Sequence, residues 1–174
     1  MDTFVSMLEI VKKEMENETE RKKHLEIRAG TVLGLMLTFA TILVSTHGNV
    51  INKIMHKLYY ELYSYVGFWS FVTTVIIVVA GKYYYSAIKN YCVVFLGLKM
   101  YAHVPCEEII QFAYKDKNKA VYYFHVAMLI QRIVDENKKI NDMKAIAFIK
   151  AGHALQRSVL AFMIWSFICA MAGF

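Results

Sequence analysis

Two pairs of residues have the types and spacing that acid–base chemistry on a phosphate would need. His24 and Arg28 stand four apart, as do His153 and Arg157. On a helix each pair shares one face. A histidine can give or take a proton near neutral pH, and an arginine can hold phosphate through paired N–H groups. The same residues suit a second role. Each pair precedes a long apolar run, where Arg28 and Arg157 would bind lipid phosphate or form the cytoplasmic mouth of a pore. Cys92, Cys106 and Cys169 lack the CxxC spacing of a zinc site. His103, Cys106, Glu107 and Glu108 are close in sequence, but Pro105 among them reads as the break before a helix. No metal and no cofactor is expected. The motifs GxxxxGK[ST], GxSxG and HExxH do not occur, and the chain is not expected to be an enzyme.

A third pattern is longer. Thr31, Gly34, Thr38, Thr41 and Ser45 recur at spacings of 3, 4, 3 and 4, and the rhythm continues to Gly48 and Asn52. Every member is small or polar, and the intervening residues are mostly Leu, Val, Ile, Met and Phe. A period near 3.5 keeps one seam of a helix facing a partner in a left-handed assembly. Two uses fit it. Small residues let helix backbones approach closely, with hydroxyls bonding across the seam. Alternatively, hydroxyls from several copies line a narrow water path. One copy has too few spans to enclose such a path, so both uses call for a homo-oligomer.

The elements that carry these residues are long and apolar. Ala29–Thr46, Tyr63–Gly81 and Ser158–Phe174 contain no charged side chain. At 1.5 Å per helical residue each covers about 26 Å or more, close to the roughly 30 Å of a bilayer's hydrocarbon core. The reading is an all-α membrane protein. It has an N-terminal amphipathic helix, two transmembrane helices, and a helical cytoplasmic region with a long apolar C-terminal helix. The first 28 residues are charge-rich and have no signal-peptide core. Residues 1–28 form the amphipathic helix, on Phe4, Met7, Leu8, Val11 and Met15. Residues 29–81 form the hairpin, with a break at His47-Gly48-Asn49 and a short interfacial helix over Asn52–Leu62. Residues 82–174 form the basic helical region. Within it, Ala120–Phe174 is either one long helix or two that fold back near Asp135–Asp142. Residues 158–174 are expected to pack against neighbours, with a third crossing as the alternative.

Charge orients the hairpin. Of 20 Lys and Arg, six lie in residues 1–28, two in 47–62 and twelve in 82–157. The positive-inside bias puts the N-terminus and the 82–157 region in the cytoplasm. Tyr59, Tyr60, Tyr63, Tyr65 and Trp69 at one end of the second run, and Tyr83, Tyr84 and Tyr85 at the other, read as interfacial anchors. The net charge of +6 then follows from topology and attraction to anionic lipid.

A charged N-terminal helix, a membrane hairpin and a basic helical remainder ending in an apolar helix resemble the transmembrane accessory proteins of RNA-targeting type VI-B CRISPR systems. The same order is similar to the SLATT class of two-span antiphage effectors. Either resemblance implies an oligomeric pore that depolarises the inner membrane of an infected bacterium. It also implies a CRISPR effector, or an RNA or nucleotide signal, as partner. The CRISPR-linked group further implies a diverged HEPN ribonuclease fold, whose motif is Arg, four to six residues, then His. No arginine here meets that spacing: Arg21 precedes His24 by three, and His153–Arg157 runs in reverse. A non-conducting membrane scaffold that binds a soluble partner is the rival expectation, and a membrane-tethered ribonuclease the third.

Overall fold

Between Asp2 and Tyr60 there is no proline to remove a backbone donor, and a computed structural model shows one helix across the whole stretch. The structure describes residues 2–60, 65–97 and 119–172. Helix α1 spans Asp2–Tyr60, α2 spans Tyr65–Cys92 and continues into a wider, π-type turn at Val93–Gly97, and α3 spans Lys119–Ala172. All described residues are helical, and none is in a strand. One expectation about helix ends is corrected, and one alternative is decided. The break at His47-Gly48-Asn49 is absent, because α1 carries its ladder through to Tyr60 and takes in the start of the short helix expected over Asn52–Leu62. Of the two arrangements expected for Ala120–Phe174 the structure has the single long helix, α3, without a fold-back near Asp135–Asp142. The break at Pro105, the helix at Cys106–Ala113, the group around His103 and most of the turn at 115–119 lie outside the described residues.

The chain forms two compact units, and α1 and α3 pass through both. The first comprises residues 1–28 and 94–146. In it α1 and α3 run parallel. Val11 packs with Val126, Ile130 and Val134, flanked by Leu8, Met15 and Tyr122. Further along, the facing residues of α3 turn polar. Asn137, Asn141 and Lys144, at spacings of four and three, are all buried. Asn141 Nδ2 donates to the Glu18 carbonyl at 2.8 Å and to Glu18 Oε2 at 2.7 Å. Lys144 Nζ meets Glu26 Oε1 at 2.6 Å, and Arg21 meets Asp142 at 2.8 Å. The apolar layer supplies most of the stability, at about 1.5–3 kcal/mol per fully buried Val or Ile. The polar layer is suited to fixing the register of two parallel helices, the best-attested use of buried polar pairs.

The second unit comprises residues 29–93 and 147–174. Helix α2 runs antiparallel to α1, with the Tyr84 hydroxyl donating to the Met36 carbonyl. Helix α3 returns parallel to α1. Ser158 Oγ donates to the Ala80 carbonyl at 2.9 Å, and Tyr91 meets Phe148 edge-on. Ile54, Trp165 and Cys169 form the core, with Ile51, Ile76 and Ile77 against them. These contacts show that the apolar runs are staggered. The stretch of α1 from His47 to Ile54, which carries Asn49, Asn52 and Lys53, stands beside the most apolar parts of α2 and α3.

Among the described residues three helices, α3 included, are long and apolar enough to cross a membrane. Only 11%, 17% and 22% of the most apolar window of each is buried. A surface so apolar and so exposed is compatible with a membrane location and unusual for a protein in water.

The ionic layer of the first unit gives an asymmetric prediction. Lys144 is 1% exposed, whereas Glu26 is 27% exposed and has Lys22 3.9 Å away as a second cation. Glu26→Ala strands a buried ammonium and is expected to cost about 3–5 kcal/mol. Lys144→Met leaves a carboxylate that can turn to Lys22 and water, and should cost clearly less. Thermal unfolding in detergent, followed by helical circular dichroism, checks the order of the two.

Candidate functional site

The seam on α1 faces away from its own unit. Thr31, Gly34, Thr38, Thr41, Ser45 and Asn52 are all exposed. A Cβ built on Gly34 would meet nothing within 4 Å, and the same holds for Gly48. Among the described residues, then, no packing need calls for glycine at these two positions. Thr38 donates to the Gly34 carbonyl and Thr41 to the Leu37 carbonyl, each at 3.0 Å. With their protons held inside the helix, these hydroxyls present oxygen lone pairs outward. Asn49, Lys53 and His56 are exposed as well, so the polar face continues into the stretch that stands beside apolar α2 and α3.

Within the first unit, His24 and Arg28 are exposed and share a shallow basic pocket with Arg21, one side of which is Ala145. Arg21 is tied to Asp142 and lies 3.6 Å from Glu18. Within the second unit, His153 and Arg157 are exposed, and the Arg157 guanidinium lies 5.8 Å from the centre of the Tyr83 ring. That stacking of a cation on an aromatic face suits the level of lipid headgroups. Among the described residues no group of three or more His, Cys, Asp or Glu converges as a metal site would require.

A feature not anticipated from the sequence lies on the other side of α1. A groove of about 630 Å3 runs along the second unit between all three helices, with Met36, Phe39, Leu43, Ala80 and Val159 among its walls. Its volume is in the range of roughly 300–1,000 Å3 typical of ligand sites. Polar residues are few. Tyr84 and Ser158 spend their protons on backbone carbonyls. His47 and Trp165 stand together with Phe162, the imidazole centre 5.6 Å from the indole and 5.9 Å from the phenyl ring. His47 Nδ1 is 2.7 Å from Thr46 Oγ1. Trp165 is fully buried, and its indole Nε1 has no hydrogen-bond partner. An unmade hydrogen bond of this kind costs about 1–3 kcal/mol. The sequence signal for this cluster was slight: a lone histidine in an expected turn and a lone tryptophan in an apolar run.

Trp165 is the largest fully buried side chain of the unit. Trp165→Ala is expected to cost about 3–5 kcal/mol through lost burial and the cavity left behind. Ser158→Ala, which removes one hydrogen bond between helices, should cost only about 0.6–1.7 kcal/mol. Reversible unfolding in mixed detergent micelles measures both.

No family model matches the chain, and neither a curated protein nor a solved structure is similar to it.

Proposed function

We propose that this chain is a homo-oligomeric membrane pore that depolarises the bacterial inner membrane, with its N-terminus in the cytoplasm. The observation that carries the reading is the outward-facing seam of Thr31, Gly34, Thr38, Thr41, Ser45 and Asn52 on a helix otherwise suited to lipid. Hydrocarbon leaves such a face unsolvated, and polar residues at membrane depth characteristically face other helices or water. A ring of copies supplies both, with hydroxyl oxygens at the axis and Gly34 and Gly48 allowing close approach. His24, Arg28, His153 and Arg157 would stand at the cytoplasmic mouth or on lipid phosphate. Placement in antiphage defence, as a CRISPR-associated effector answering a soluble effector or an RNA or nucleotide signal, rests on the resemblance of element order.

Expression in cells loaded with a potential-sensitive dye tests the pore. Wild type is expected to depolarise the membrane. Thr38→Leu combined with Thr41→Leu removes the outward oxygens and is expected to abolish depolarisation while the native mass in detergent stays that of the oligomer. Loss of the oligomer in the double variant would instead make the seam a packing surface. Unchanged depolarisation would overturn its role altogether, and a monomeric wild type would exclude the pore.

A further inference from the structure

The groove of the second unit has an occupant written into its chemistry. Its walls are aliphatic and aromatic side chains, and at one end stand His47 and the buried, unpartnered indole Nε1 of Trp165. A ligand that matches it is a flexible hydrocarbon with a hydrogen-bond acceptor at one end. On α1, positions advance by about 100° per residue. The groove-lining residues Met36 and Leu43 therefore lie roughly 140–180° round the helix from Thr38 and Ser45. None of the seam residues lines the groove. A copy docked on the seam leaves the groove turned to the bilayer, so its occupant comes from lipid and not from a second chain.

We propose that the groove holds one acyl chain of a glycerophospholipid, its ester carbonyl accepting from the Trp165 indole beside His47. The hydrocarbon runs from there past Phe39 and Ala80 towards Tyr84. The indole is fully buried, so reaching its Nε1 requires the ring to turn towards the groove that it lines with His47 and Phe162. The inference rests on the membrane reading above and takes the seam as the face for a second copy, but it does not need conduction.

The chain contains two tryptophans, Trp69 and Trp165. In a Trp69→Phe background the fluorescence of Trp165 alone reports on the groove. Protein in unbrominated detergent is titrated with a phosphatidylglycerol carrying a dibrominated acyl chain, which quenches a neighbouring indole. Quenching is expected to saturate at one lipid per chain. Gly81 lines the groove, and a Cβ there would meet nothing within 4 Å, so Gly81→Leu fills the space without displacing backbone and should remove the saturable phase. Trp165→Phe, assayed by mass spectrometry of retained lipid, should hold several-fold less phospholipid than wild type at an unchanged helical content.

Quenching that rises without saturation, or that Gly81→Leu leaves intact, would overturn the proposal. So would equal quenching by a brominated free fatty acid, because the ester would then play no part. A native mass that falls on Gly81→Leu would give the groove to a second copy. Saturable quenching in a protein that never depolarises cells would sink the pore and leave the lipid site standing, while the reverse pair of results would do the opposite.

Discussion

A helix that carries hydroxyls along one side and hydrocarbon along the other can satisfy only one of them against its own chain. In the second unit α1 turns Met36, His47 and Ile54 inward and leaves Thr38, Thr41 and Ser45 outside. Much of the unit's organisation depends on that choice. The inward side sets the pairing with α2 through Tyr84 and with α3 through Trp165. The outward side meets no partner among the described residues that would account for its small residues: nothing approaches Gly34 or Gly48 closely enough to require a glycine there.

The first unit solves a different problem. Two parallel helices with purely apolar faces could slide past each other by a turn at little cost. The layer of Glu18, Glu26, Asn141 and Lys144 makes such a slip expensive, because each step would bury a charge away from its partner. Val11, Ile130 and Val134 provide adhesion, and the polar layer provides alignment.

Much of the helical content was legible in the sequence, because hydrophobic periodicity and the scarcity of proline act locally. The ends of helices were less so. Gly48 and Asn49 resemble a stop, but one glycine costs only about 1 kcal/mol within a helix, and contacts of His47, Ile51 and Ile54 with Trp165 and its neighbours outweigh that. For Ala120–Phe174 the sequence left one long helix and two folding back near Asp135–Asp142 both open. In the structure Asn137, Asn141 and Lys144 are a buried face, and no local pattern signals a partner supplied by Glu18 and Glu26 far away in the chain. The seam residues were visible as a period, whereas the direction they face depends on how α2 and α3 pack. The groove is beyond sequence reading altogether, since it exists only where three helices meet imperfectly.

The stagger of the apolar runs has a mechanical meaning. In a bilayer, the level at which α1 is most apolar is not the level at which α2 and α3 are, so the belt that all three share is thinner than any single run. Lipid around such a belt must thin locally or the helices must tilt, each at a modest cost per ångström of mismatch. For a chain so built, the energy of insertion would be tied to bilayer thickness. A thin membrane would hold it at rest, and a thick one would strain it.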